Sequence, residues 1–229
     1  MRNVEKIIKN QLISFLDKNS STLEFIEELS SVGDLLFFGG SIRDICFFPD
    51  EPPMPRDFDI AIKFNDKKNF DSIISKYNHK RNRFGGYKLQ ISNLEFDIWD
   101  LENTWAFKNT SLYPSEENLA KTVYLNIDGI VYNFNKEKLY DEVFRSTIEK
   151  SKLDINLERN PQIELNLLRA LVFKEKYNLE LSSNLKNVIN DYLKDDAYAF
   201  VDNLYDLQTS HYNNSYFSKE RIKRELSCF

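Results

Sequence analysis

Asp57 and Asp59 stand two apart in the run Arg56-Asp57-Phe58-Asp59-Ile60-Ala61-Ile62. On a strand, residues i and i+2 point to the same side. Phe58, Ile60 and Ile62 then face one way and the two carboxylates the other. Carboxylates so placed repel each other unless a cation lies between them, and hard ions such as Mg²⁺ take carboxylate oxygens together with substrate phosphates. A lone D-x-D is ordinarily a solvated strand edge. Here the alternation with apolar residues strengthens the metal reading. A second acidic run, Glu95-Phe96-Asp97-Ile98-Trp99-Asp100, puts Glu95 and Asp97 on one side of another strand. A two-metal centre, with its ions roughly 4 Å apart to clamp an attacking and a leaving oxygen, needs a third carboxylate. Asp97 is the favoured third ligand and Glu95 its competitor.

Gly39-Gly40-Ser41 follows the apolar run Leu35-Leu36-Phe37-Phe38. Glycines let a backbone approach a phosphate closely, and a helix N-terminus offers free N–H groups and a positive dipole end. Gly39, Gly40 and Ser41 therefore suit a nucleoside triphosphate, although a Gly-Gly pair by itself is usually only a turn. Ser41 is of a type that caps a helix.

These residues need elements to position them. Val4, Ile7, Ile8, Leu12, Phe15 and Leu16 recur at helical spacing over 2–17. Ser21 to Leu29 reads as a second helix capped by Ser21 or Thr22, and Leu35 to Phe38 as a buried strand. Pro49, Pro52, Pro53 and Pro55 make a stiff loop before the strand of Asp57 and Asp59. Residues 66–77 read as helix, Tyr87–Ile91 and Leu94–Leu101 as a hairpin about Ser92-Asn93, and Val123–Ile127 with Ile130–Phe134 as a hairpin about Asp128-Gly129. Beyond these the pattern is helical, through Ile163–Val172, Leu185–Leu193 with Ser182 or Ser183 as cap, and 195–208. The expectation is an α+β domain over 1–135 and a helical region over 136–229.

Bulk properties limit the alternatives. The chain has 229 residues, 41% hydrophobic and 29% charged, with six glycines and six prolines, as a folded soluble domain would. A net charge of −5 gives no global nucleic-acid footprint. Two cysteines, Cys46 and Cys228, read as reduced thiols rather than a disulfide framework. Charges interrupt the apolar residues of the N-terminus, which argues against a signal peptide, and no apolar run is long enough for a membrane span. A cytoplasmic location is expected. His79 and His211 lack the spacing of a zinc site or a triad. Lys76, Lys80, Arg81 and Arg83, and also Lys88 and Lys121, read as solvated cations with contact to RNA phosphates or pyrophosphate as the functional alternative. Lys219, Arg221, Lys223 and Arg224 read as a solvated helix end, and Trp99 and Trp105 as core.

The run F-F-G-G-S-I-R-D followed by R-D-F-D-I-A-I resembles the head domain of class II tRNA nucleotidyltransferases (CCA-adding enzymes) and bacterial poly(A) polymerases, members of the polymerase-β superfamily. That family shows a strand, G-G-x-x-R-D and then D-x-D on the next strand. Leu167-Leu168-Arg169-Ala170-Leu171-Val172-Phe173 is similar to the family's I-L-R-A-L-R-F helix, so the resemblance spans about residues 35–175. It implies a polymerase-β-like mixed sheet with flanking helices. Asp57, Asp59 and Asp97 would be the catalytic metal ligands for Mg²⁺ or Mn²⁺. Gly39, Gly40 and Ser41 would hold the triphosphate, Arg43 would contact it or brace the loop, Asp44 would anchor the helix start, and Arg56 would reach the phosphates or the acceptor. The implied activity is transfer of NMP from an NTP to an acceptor hydroxyl, with release of pyrophosphate.

The sequence also departs from that family. Where the family has R-R-D-F-T-I-N-A, the nearest stretch is Lys121-Thr122-Val123-Tyr124-Leu125-Asn126-Ile127, which keeps only an asparagine. The base-reading E-D-x-x-R falls near Gln162, Ile163 and Asn166, which cannot reproduce it. The resemblance thus implies a relative whose acceptor or nucleotide differs from that of C-C-A addition. An RNA or tRNA 3′ end is the expected acceptor. The alternatives are a protein side chain, as in an AMPylating-type toxin or defence enzyme, and a non-catalytic module that binds nucleotide or a partner.

Overall fold

A computed structural model of the chain describes residues 4–82, 84–212 and 215–227. They form two compact units, Met1–Val123 with Asp128–Phe144 and Tyr124–Ile127 with Arg145–Phe229. In the first unit α1 (Val4–Leu16) and α2 (Ser20–Val32) precede β1 (Gly33–Phe38), α3 (Gly40–Phe47), β2 (Asp57–Phe64) and α4 (Lys67–Ile74). Then come β3 (His79–Arg81), β4 (Tyr87–Ile91), β5 (Leu94–Asp100), α5 (Trp105–Asn109), α6 (Glu116–Leu119), β6 (Val131–Asn133) and β7 (Lys138–Tyr140). The seven strands make one mixed sheet in the order β3-β4-β5-β2-β1-β6-β7. Only β2 and β5 run parallel; the other neighbours are antiparallel.

Period-two alternation sorts the sheet into two faces. Phe37, Phe58, Ile60, Phe96 and Ile98 are fully buried on one. Phe58 stacks on Phe96 at 5.4 Å between ring centroids, Phe15 of α1 meets Phe58 at 6.5 Å, and Phe25 of α2 meets Phe96 at 5.5 Å. On the other face Leu36, Ala61 and Val131 pack with Leu101, Phe107, Leu119 and Ala120, flanked by Phe38, Trp99, Leu112 and Tyr140. That face is therefore apolar at one end and, where β2 and β5 begin, acidic at the other.

Local expectations mostly held, with physical reasons for the exceptions. Asn19, not Ser21 or Thr22, caps α2 by accepting from the Ser21 amide at 2.9 Å, and Thr22 is buried instead. Asp66 caps α4, accepting from the Lys68 amide at 3.0 Å. The Ser92-Asn93 turn is present, with Ile91 paired to Leu94. The Asp128-Gly129 hairpin is not. Residues Asn126–Asp128 are a turn of 3-10 helix, Leu125 bridges to Ile155, and β6 pairs with β1 and β7. Asp128 is drawn into a buried ion pair with Arg43. Gly129 serves close packing, since a Cβ there would lie 2.5 Å from Val143 Cγ1.

In the second unit the chain runs through α7 (Glu142–Lys150), whose first residues count with the first unit, β8 (Lys152–Leu153), α8 (Ile163–Lys176), β9 (Glu180–Leu181), α9 (Ser183–Tyr212) and α10 (Lys219–Leu226). It is not purely helical, because β8 and β9 pair in parallel. Ser182 caps α9 through the Leu185 amide at 3.1 Å. A break at Asp196 (φ −158°, ψ 95°) divides α9, and its carboxylate accepts from the amides of Tyr198 and Ala199 at 3.1 and 2.9 Å. Leu167, Leu168, Leu171, Leu185, Ile189, Leu204, Ile222 and Leu226 form this unit's buried interior.

Glu116, 7% exposed, ties the far edge of the large sheet together. It accepts from Lys63 of β2 at 3.0 Å, Asn133 of β6 at 3.0 Å, Lys136 at 3.1 Å and Tyr140 of β7 at 2.7 Å. Burial pushes its carboxyl up, but hydrogen bonds from Asn133, Tyr140, Lys63 and Lys136 outweigh that and hold it at about 2 instead of 4.5. A folded-state value below the ordinary one means the contribution is complete above the ordinary value and is lost as pH falls towards 2. With partial screening of the half-exposed lysines, the contribution is about 2 kcal/mol. Glu116→Gln should lower the stability measured by urea unfolding at neutral pH by about that amount and flatten the decline between pH 5 and pH 3. An unchanged pH profile would remove Glu116 as the source.

Candidate functional site

The parallel pairing of β2 with β5 brings the two acidic runs together. Asp57 lies beside Glu95 and Asp59 beside Asp97 in register. All four carboxylates thus share one sheet face across neighbouring strands. Asp57 and Asp97 side chains are each 19% exposed and Glu95 is 41% exposed. Between them, the alternate residues Phe58 and Phe96 are buried on the opposite face, so a one-residue slip of either strand would turn its acids inward.

Among the described residues, Arg56 and Lys88 meet this acidic face. Arg56 donates to Asp57 Oδ2 through Nη2 at 2.8 Å and Nε at 3.2 Å. Lys88, opposite Asp97 on β4, places its Nζ 2.9 Å from Glu95 and 4.0 Å from Asp97. Burial pushes the Asp97 carboxyl up; Lys88 opposes that, while Asp57 and Glu95 add to it. The Lys88 ammonium is pushed up by its hydrogen bond to Glu95 and by the fields of Asp97, Glu95 and Asp57.

The glycine turn lies against these acids. Phe38, the last residue of β1, pairs with Asp59, so the chain turns into α3 directly beside it. Gly39 has φ +68°, a left-handed value that favours glycine, and a Cβ there would come to 3.4 Å from Asp59 Oδ2. Gly39 itself occupies the cap position and no side chain caps α3 among the described residues. Ser41 is therefore not the cap expected from its type. Its hydroxyl is buried without a hydrogen-bond partner, which leaves its backbone amide as the group able to meet an anion. Arg43 is 5% exposed; its Nε donates to Asp44 Oδ1 at 2.9 Å and its Nη1 to Asp128. It braces the start of α3 against the segment at 128.

Among the described residues, no three His, Cys, Asp or Glu side chains close into a preformed metal cage. The donor set nevertheless fits a divalent ion. Mg²⁺ takes one or two carboxylates and completes its shell with water and substrate phosphates, and four registered carboxylates beside an uncapped helix start supply that chemistry. Asp57, Asp59 and Asp97 are the residues that would hold it.

Other candidates lie elsewhere or are occupied. Lys76 pairs with Glu28 at 2.5 Å and Lys121 with Glu117 at 3.6 Å. Lys80 and Arg81 are exposed on the edge strand β3, with Arg81 over the Tyr87 ring at 4.6 Å. Arg83 and Cys228 lie outside the described residues. Cys46 is pushed up to about 12 by burial and then by Asp141, which makes it a poor nucleophile. His79 Nδ1 lies 3.0 Å from the Tyr77 carbonyl, and His211 packs on Tyr212 at 4.7 Å. Trp99 belongs to the apolar cluster, and Trp105 begins α5. Asn126 pins Lys152 and Asp154 at 3.1 and 2.9 Å, and Asn166 donates to Asn160 Oδ1 at 3.0 Å. Sequence reasoning overlooked Lys88 as a partner of the acids. The signal was present, because a two-residue turn at Ser92-Asn93 sets Lys88 opposite Asp97 by counting.

No protein-family model and no curated protein matches the chain. Solved structures do. A Thermotoga maritima CCA-adding enzyme complexed with tRNA is similar over 99% of this chain and 54% of its own, with 14% identity and a TM-score of 0.64. A CCA-adding enzyme in complex with ATP is similar over 89% of this chain and 48% of its own, with 13% identity and a TM-score of 0.59. A tRNA-processing enzyme with CTP matches over 73% and 46%, with 22% identity and a TM-score of 0.51. The chain spans about half the length of these proteins. At such identities the likeness is one of fold: the chain has the mixed-sheet nucleotidyltransferase fold, with flanking helices and a largely helical C-terminal part, that these enzymes share.

Proposed function

We propose that this chain is a metal-dependent nucleotidyltransferase that transfers NMP from an NTP to an acceptor hydroxyl and releases pyrophosphate. The observation that carries this reading is the register of β2 on β5, which aligns Asp57 and Asp59 with Glu95 and Asp97 beside Gly39. Asp57, Asp59 and Asp97 would hold the divalent ion, which when bound would supply charge neutralisation for the phosphates and a lowered pKa for the attacking hydroxyl. The amides of Gly40 and Ser41 and the positive end of α3 receive the triphosphate. Gly39 keeps the turn close against Asp59. Arg56, 56% exposed on its side chain, reaches from Asp57 to the phosphates or the acceptor and offsets charge there.

The acceptor is an RNA 3′ end on this reading. The solved relatives include enzymes complexed with tRNA, which supports an RNA acceptor. The absence of the base-reading acid and arginine near Gln162 and Asn166 separates it from C-C-A addition. A cytoplasmic location accords with this chemistry, and no helix of the described residues is long and apolar enough to cross a membrane. On this reading the head domain is the unit that carries the seven-stranded sheet, Met1–Val123 with Asp128–Phe144, and the largely helical unit follows from Arg145.

Incubation of the protein with Mg²⁺, each α-labelled NTP and total RNA should place label on RNA. Asp59→Asn should reduce transfer by about a hundred- to a thousandfold, the range of losses from removing a key electrostatic group, with an unchanged circular dichroism spectrum. Wild-type rates in that variant would sink the assignment. Label on a protein band rather than RNA would move the acceptor to a protein side chain. Mg²⁺ with the preferred NTP should also raise the thermal midpoint of the wild type but not of Asp57→Ala. Equal shifts in both would place the nucleotide elsewhere.

A further inference from the structure

Four carboxylates share one face of the sheet, but a divalent ion with its phosphates needs only some of them. Glu95 and Asp97 compete for the third place, and the difference between them lies on β4. Lys88 stands directly opposite Asp97 in the antiparallel ladder, yet its ammonium lies 2.9 Å from Glu95 and 4.0 Å from Asp97. Diagonal pairs of this kind are within reach of a long side chain on a sheet face. Glu95 is the more exposed of the two acids, at 41% against 19%. It holds the lysine at the rim, while Asp97 stays beside Asp59.

We propose that Lys88 is a positioning residue that assigns the two acids of β5 different tasks. Glu95 is its counter-ion and Asp97 is the third metal ligand. Glu95 keeps the ammonium from closing on Asp97, where it would compete with the metal. The inference rests on the nucleotidyltransferase reading above for the existence of the metal centre, but it concerns the chain's own cation and which carboxylate that cation claims.

The consequence is a non-additive pattern in metal binding. Glu95→Gln frees Lys88 to close on Asp97, so it should weaken Mn²⁺ binding by about fivefold, the scale of a half-exposed ion pair. In the Lys88→Met background the same substitution should have no effect. Lys88→Met alone should leave Mn²⁺ affinity equal or higher, Lys88→Arg should behave as wild type, and Asp97→Asn should weaken binding in both backgrounds. The measurement is a titration of the full chain with Mn²⁺ alone at low ionic strength, with free Mn²⁺ followed by electron paramagnetic resonance and folding checked by circular dichroism.

If Glu95→Gln weakens binding equally in both backgrounds, Glu95 is itself a ligand and the proposal fails. It also fails if the substitution is neutral in both, or if Lys88→Met weakens binding. In those cases an Asp57→Ala-sensitive Mn²⁺ site would still support the nucleotidyltransferase reading. Absence of any Asp57-sensitive Mn²⁺ site in the wild type would overturn that reading and this proposal together.

Discussion

Like charge gathered on one face of a sheet is the constraint around which this molecule is arranged. Asp57, Asp59, Glu95 and Asp97 lie in register on adjacent parallel strands, where like charges repel one another. Such an arrangement persists only if the rest of the fold fixes both strands. The fixing is done from behind. Phe58 and Phe96, the alternate residues of the same strands, stack on each other and are covered by Phe15 and Phe25 of α1 and α2. Burial of those rings holds the register, and the register in turn aligns the acids.

The cations near this face divide into two kinds. Arg43 is buried in ion pairs with Asp44 and Asp128 and anchors the turn into α3. Arg56 and Lys88 are half-exposed and lean on the acids from the rim. A buried guanidinium with two carboxylates is costly to disturb, whereas rim cations can change partners at little cost. The rigid bracing therefore falls on the glycine turn, and the adjustable charge falls at the rim of the acidic face.

The apolar half of the same face does different work. Ala61 continues the acidic side of β2 but is fully buried among Leu36, Leu101, Phe107, Leu119 and Val131. At its border Glu116 gathers Lys63, Asn133, Lys136 and Tyr140. The strand that carries the carboxylates is thereby clamped at its far end by a charge network and at its near end by ring stacking. The acids sit at the near end, on the face opposite those rings, with Asp57 and Asp97 partly exposed.

Much of this was legible in the residues, and the rest was not, for reasons of range. The strand alternation of Phe58, Ile60 and Ile62 with Asp57 and Asp59, the Gly39-Gly40 turn and the Ser92-Asn93 hairpin depend on near neighbours, and each was readable from them. Counting back from that hairpin even sets Lys88 opposite Asp97. Asp128-Gly129 misled because its signal is also local, while its real causes are distant: Arg43, 85 residues away, claims the aspartate, and Val143 needs the space at the glycine. Ser41 misled in the same way, since the fold buries the hydroxyl that a cap would use. The sequence by itself determined which residues are acidic, which side of each strand they take, and the resemblance in motif order. Only the tertiary structure decided that β2 and β5 lie parallel and in register, because parallel strands are joined through long connections that leave no local mark. That pairing turns two separate acidic strands into one site.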